Sequence, residues 1–127
     1  EQPPLDVCAA FVTEGGNLEA KNVIHVVTPI HYSFDTPQFN HNLIEICILN
    51  ALQLAMHRQA KTVCIPSIST GGACFPMDIV ATLTIDTAAN WASLNDTGSV
   101  KHIKICNFNG EEYETYKRVF NQIKVRM

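Results

Sequence analysis

The run Pro66-Ser67-Ile68-Ser69-Thr70-Gly71-Gly72-Ala73-Cys74-Phe75-Pro76 carries the residues best suited to chemistry. It joins a β-branched apolar run to a proline-initiated helical one. Two adjacent glycines let the backbone turn sharply and come close to a ligand. Successive N–H groups in such a loop form an anion-binding hollow, and the helix that follows adds the positive end of its dipole. A phosphate can be held this way without Lys or Arg. The same residues also suit a plain strand-to-helix connection whose glycines serve only the turn, and spacing alone leaves both readings open. Named nucleotide signatures are absent: no Lys follows the glycines to make G-x-x-x-x-G-K-[ST], and there is no G-x-G-x-x-G. G-x-S-x-G is also missing, which argues against an α/β-hydrolase serine. Ser67, Ser69 and Thr70 would each need an adjacent base to act as nucleophile, and the spacing selects none. Cys74 precedes a helix start, a setting that activates thiols, but no Arg pattern of a thiol phosphatase accompanies it and packing is the simpler role.

The elements that must position this loop alternate along the chain. Cys8 to Thr13 is a short apolar run closed by Glu14-Gly15-Gly16-Asn17, a strong turn signal. Asn22 to Val27 (NVIHVV) and Lys61 to Ile65 (KTVCI) read as strands buried on both faces, as does Val100 to Cys106. Thr36-Pro37 looks like an N-cap with proline in the first turn. From Gln38 to about Arg58, Leu43, Ile46, Cys47 and Leu54 form a helical stripe with Ile44, Ile48, Ala51 and Ala55 beside it. A second helix runs from Pro76 to about Trp91, and a closing amphipathic one from Glu111 to Ile123 uses Tyr113, Tyr116, Val119 and Phe120. Buried strands alternating with helices predict an α/β fold, a three-layer α/β/α sandwich with a mixed, mainly parallel sheet. The first strand pairs antiparallel with the second across Gly15-Gly16. In such sheets the ligand crevice lies beyond the carboxyl ends of the strands, which is where the glycine-rich run falls.

Composition bounds the rest. The 127 residues fit a single domain spanning 1–127, with residues 1–7 an irregular polar leader. A net charge of -3 offers no basic field for long nucleic acid. The five cysteines show no C-x-x-C pair, and an odd count does not complete a disulfide framework, so no metal site is expected. Their placement in apolar runs suggests small hydrophobes in a reducing compartment, cytoplasmic or nuclear. No apolar run approaches membrane-spanning length. His25 reads as a structural, hydrogen-bonded residue, and His31, His41, His57 and His102 as surface positions.

Asn17-Leu18-Glu19-Ala20-Lys21-Asn22-Val23-Ile24-His25-Val26-Val27-Thr28-Pro29 resembles the L-x-x-K-x-V-I-H-x-V-x-P stretch of macrodomains. Pro66 to Gly71 with Phe75-Pro76 is similar to the second phosphate-binding loop of that family, and the upstream Thr13-x-Gly15 agrees in order and spacing. The resemblance covers nearly the whole chain. It implies that the amides of Ser69, Thr70, Gly71, Gly72, Ala73 and Cys74, extending to Phe75, cradle the diphosphate and distal ribose of ADP-ribose. It also implies that the segment holding Asn107 and Phe108 presents an aromatic ring to the adenine, although a core position for Phe108 fits its residue type equally well. The small residues Gly72 and Ala73 resemble macrodomains attached to ADP-ribosyltransferases, several of which read the modification without removing it.

One departure is larger. The strands that precede this region in the family, its adenine-binding Asp and its Asn- and Gly-rich first loop have no counterpart in Glu1 to Ala10. The resemblance therefore implies a domain incomplete at its N-terminus, whose uncovered sheet edge invites self-association. The expected function is a binding module for ADP-ribose or mono-ADP-ribosylated protein, with no cofactor, no catalytic residue and no membrane partner. The competing expectations are a hydrolase removing ADP-ribose from proteins or from its acetyl ester, and a non-binding interaction scaffold.

Overall fold

A computed structural model describes residues 8–28, 37–68, 75–94 and 96–126. The chain adopts an α/β fold. Its elements run β1 (Ala10–Glu14), β2 (Asn22–Val26), α1 (Pro37–His57), β3 (Thr62–Pro66), α2 (Met77–Leu94), β4 (His102–Cys106) and α3 (Gly110–Arg126).

β1 and β2 pair antiparallel, with Ala10 opposite Val26 and Glu14 opposite Asn22. The expected turn closes them: the Gly15 amide donates to the Lys21 carbonyl at 2.9 Å, and Gly16 takes a φ of 59°. Gly15 is there because nothing else fits, since a Cβ at that position would sit 1.7 Å from the Ala20 carbonyl oxygen. β3 and β4 pair parallel, Thr62 opposite His102 and Pro66 opposite Cys106. Pro66, expected in the loop, instead ends β3. The four strands do not join into the single mixed sheet expected from sequence; among the described residues they form two two-stranded sheets. What unites them is apolar packing, because Ile24 of β2 lies against the same core as Val63 and Ile65 of β3.

That core is built by α1 (Ile44, Ile48, Leu52, Ala55), α2 (Val80, Ala88, Trp91) and the inward residues of β3 and β4. A second cluster joins Ala81 and Ile85 of α2 to Tyr116, Val119 and Ile123 of α3. Both clusters engage Ile105, so the helices cover one face of the β3–β4 pair. The other face, with Thr62, Cys64 and Pro66 beside His102, Lys104 and Cys106, is exposed. This corrects the reading of these strands as buried on both sides, and of Cys64 and Cys106 as interior hydrophobes. β3 and β4 bury alternate residues as a sheet with one solvated face does. Tyr113 and Phe120 are likewise exposed rather than packed into the seam of α3.

α1 ends in a Schellman-type stop: the Ala60 amide donates back to the Ala55 carbonyl at 3.0 Å and Gln59 takes a left-handed φ of 58°.

Candidate functional site

The carboxyl ends of β3 and β4 lie side by side, since Pro66 and Cys106 are register partners. The two segments leaving them, 67–76 and 107–109, therefore start from one end of the parallel pair, where ligand crevices of open α/β sheets form. Of the residues expected to cradle phosphate, Ser69, Thr70, Gly71, Gly72, Ala73 and Cys74 lie outside the described residues. Their flanks do not. On the entry side Ser67 is clamped by Tyr116 of α3, whose hydroxyl donates to the Ser67 Oγ at 2.7 Å. On the exit side the Phe75 ring is 2% exposed and belongs to the main core. The Val80 amide then donates to the Pro76 carbonyl at 3.1 Å, starting α2. Both ends of the glycine-rich segment are thus pinned to the scaffold, by a hydroxyl clamp and by an aromatic anchor.

The second segment is organised by one carboxylate. Glu112 is buried, and its Oε1 accepts from the Asn107 Nδ2 and from the Phe108 amide, each at 3.2 Å. The Glu112 amide in turn donates to the Asn109 Oδ1 at 2.9 Å. Asn109 is the N-cap of α3 and Glu112 reaches back toward the turn before it, a variant of the capping box. This fixes the backbone of Asn107 and Phe108 while leaving the Phe108 ring 91% exposed. Phe108 is not a core residue, and the alternative drawn from its residue type falls. An exposed ring on a hydrogen-bonded backbone is presented outward, ready to stack on a planar partner.

Burial pushes the Tyr116 hydroxyl above its ordinary range, the nearby Glu112 charge adds to the effect, and the hydrogen bond with Ser67 opposes it. It stays protonated at neutral pH and holds Ser67 as a donor. From its spacing alone Tyr116 reads as helix-face packing, and Glu112 as a residue without a role. The Asn109-x-x-Glu112 spacing was the available signal for the second; the Tyr116–Ser67 clamp spans 49 residues and has none.

His25 does what was expected of it: its Nε2 pairs with the Thr13 Oγ1 at 2.8 Å, and its ring stacks on Phe11 with centroids 4.7 Å apart. A separate hollow of about 520 Å³ opens on the helical layer, lined by residues of α1, α2 and α3 including His41, Asp78, Arg118 and Gln122. It contains no strand-end residue. Among the described residues no group of three or more His, Cys, Asp or Glu could hold a metal ion, and no helix is long and apolar enough to cross a membrane.

Residues 1–84 match the Macro domain family. The chain superimposes on an Oceanobacillus iheyensis macrodomain solved with ADP at a TM-score of 0.87, with 27% identity, covering 97% of this chain and 62% of that one. It is 34% identical to an O-acetyl-ADP-ribose deacetylase of Enterobacter cloacae, over 89% of this chain and 61% of that protein. It is 32% identical to a protein-ADP-ribose hydrolase of Staphylococcus aureus, over 89% of this chain and 42% of that protein. The chain thus spans less than two thirds of the length of each of these relatives.

Proposed function

Because the chain belongs to the macrodomain family, we propose that it binds ADP-ribose, free or attached to protein as mono-ADP-ribose, and acts as a reader of that modification. The diphosphate sits against the backbone amides of Ser69 through Phe75, at the positive end of α2, and the Phe108 ring stacks on the adenine. The observation that carries this reading is that the glycine-rich segment and the segment with the exposed Phe108 ring leave β3 and β4 at the same end of the ladder. A 27% identical macrodomain solved with ADP supports the ligand class. Asn107 contributes by holding Glu112, and so the backbone that carries Phe108. Calorimetric titration of ADP-ribose tests the reading. Wild type gives saturable heat at one site, and Gly71→Glu, which adds a carboxylate to the phosphate loop, gives none. A folded wild-type chain that releases no heat would remove the proposal.

The names of the two curated relatives favour a second reading, hydrolysis of ADP-ribose from proteins or from its acetyl ester. Release of ADP-ribose from a modified protein or of acetate from the ester, at a rate above the uncatalysed one, establishes it. The exposed face of β3–β4 favours a third, a scaffold that works by self-association or protein contact. Dimerisation without any thermal shift from ADP-ribose would select it.

A further inference from the structure

Outside the site, two thiols meet in the interior. Cys8, just before β1, and Cys47, in the middle of α1, stand with their sulfurs 3.2 Å apart. The backbone around Cys8 is arranged to keep it there. Its φ of 74° lies in the left-handed region that a residue with a Cβ rarely adopts. Its amide donates to the Val27 carbonyl at 2.7 Å, and its carbonyl accepts from the Asn50 Nδ2, also at 2.7 Å. Asn50 follows Cys47 by one helical turn, so the same stretch of α1 grips both the backbone and the sulfur of Cys8. The Cys8 S–H points to the Leu43 carbonyl at 3.2 Å, and the Cys47 thiol has two acceptors in reach, the Cys8 sulfur at 3.2 Å and the Val27 carbonyl at 3.7 Å.

We propose that Cys8 and Cys47 form a site of reversible disulfide modification, closed by a peroxide, that staples the start of β1 to α1. A disulfide bond measures about 2.05 Å, so the sulfurs need to close by only about 1 Å. Cys8 is 5% exposed and Cys47 1%, so Cys8 is the more accessible of the two and is taken as the thiol that meets the oxidant. Burial pushes the Cys47 thiol well above its ordinary range, and its hydrogen bond with Cys8 adds to this, so it enters the reaction as the protonated partner. The Cys8 sulfur attacks one peroxide oxygen as it gives up its proton, the O–O bond breaks, and the displaced hydroxide takes that proton to leave as water, so the product on the chain is a Cys8 sulfenic acid. The Cys47 sulfur then attacks the Cys8 sulfur. The S–S bond forms, the S–O bond breaks, and the departing hydroxide takes the Cys47 proton to leave as water. Two thiols lose two electrons in total and one peroxide gains them. The staple closes a loop of 39 residues, which restricts the unfolded chain and stabilises the oxidised form.

The sequence provides a clean readout, because trypsin separates Cys8 (residues 1–21), Cys47 (22–58), Cys64 with Cys74 (62–101) and Cys106 (105–117). The folded wild-type chain is treated with hydrogen peroxide, its remaining thiols are alkylated, and it is digested without reductant for mass spectrometry. The expected product is peptide 1–21 joined to 22–58, two hydrogens lighter than their sum and separated again by dithiothreitol. Oxidation also raises the thermal midpoint of wild type and leaves that of Cys47→Ser unchanged. The proposal is overturned if 1–21 and 22–58 are both recovered alkylated at a dose that oxidises the exposed pair, Cys64 and Cys106. Peptide 62–101 joined to 105–117 as the sole cross-link has the same consequence.

Discussion

Removing the Phe108 ring should weaken ADP-ribose binding about 30-fold and leave the fold untouched. The ring is 91% exposed in the free chain, so truncation to Ala deletes no core contact. Its backbone amide keeps its bond to Glu112 whatever the side chain. The stability change therefore stays within about 0.5 kcal/mol, the range of surface substitutions. Binding is different. A stacked adenine covers one face of the ring, roughly half of the ~150–250 Å² that an aromatic side chain can bury. At about 25 cal/mol per Å² that is worth ~2–3 kcal/mol. Alanine substitution at base–aromatic stacks costs about 1–3 kcal/mol. The two routes overlap over about 2–3 kcal/mol, and with tenfold in affinity per ~1.4 kcal/mol the lower end of that overlap gives the 30-fold loss. Calorimetry on wild type, Phe108→Ala and Phe108→Tyr measures it, and Phe108→Tyr should bind within about twofold of wild type because the π-face is kept. Equal affinities for wild type and Phe108→Ala, with binding intact, would refute the assignment of Phe108 to the adenine.

Three further expectations bear on the scaffold. Gly15→Ala should destabilise the chain by about 1–3 kcal/mol in urea unfolding, because its Cβ overlaps the Ala20 carbonyl, whereas Gly16→Ala meets open space and costs only the ~1–2 kcal/mol of a left-handed φ. Gln59→Gly should stabilise by about 1 kcal/mol, read as a raised urea midpoint at constant slope, since Gln59 already holds the left-handed position that glycine occupies without strain. Tyr116→Phe removes the clamp on Ser67 and should cost about 1 kcal/mol at neutral pH. Its pH dependence has a definite sign: the folded-state pKa is raised, so the folded state holds the proton longer than the unfolded one and wild-type stability falls as pH climbs past about 10. The gap between wild type and Tyr116→Phe in urea unfolding should shrink over that window. A gap that widens would contradict the stated burial effect.

Much of this architecture is legible in the chain itself. Glu14-Gly15-Gly16-Asn17 announced the hairpin as a turn signal, and the structure gives each glycine its own reason: Gly15 has no room for a Cβ, and Gly16 takes a left-handed φ. The alternation of apolar runs with helical stripes placed the glycine-rich segment and the Asn107–Asn109 segment at strand ends. What escaped was the one-sidedness of the sheet. Cys64, Pro66 and Cys106 are apolar enough to make β3 and β4 look continuous, yet they share the exposed face with Thr62, His102 and Lys104. The polar–apolar alternation of His102-Ile103-Lys104-Ile105 was the stronger signal, and a period of two should have outweighed the apolar content of the runs. Phe108 shows the limit in the other direction: residue type favours the core, and only its place beside the Asn109–Glu112 cap turns it outward. The Cys8–Cys47 contact left no trace in local spacing, because a 39-residue separation is closed by tertiary packing alone.

Backbone amides holding a diphosphate are the centre of the proposed function, and amide chemical shifts report on them directly. In ¹⁵N–¹H spectra of the folded chain titrated with ADP-ribose, the signals of Ser69, Thr70, Gly71, Gly72, Ala73, Cys74 and Phe75 should move to saturation together, and adenosine without phosphates should leave them in place. Saturable binding that leaves those seven amides unmoved would contradict the proposed mode of phosphate binding.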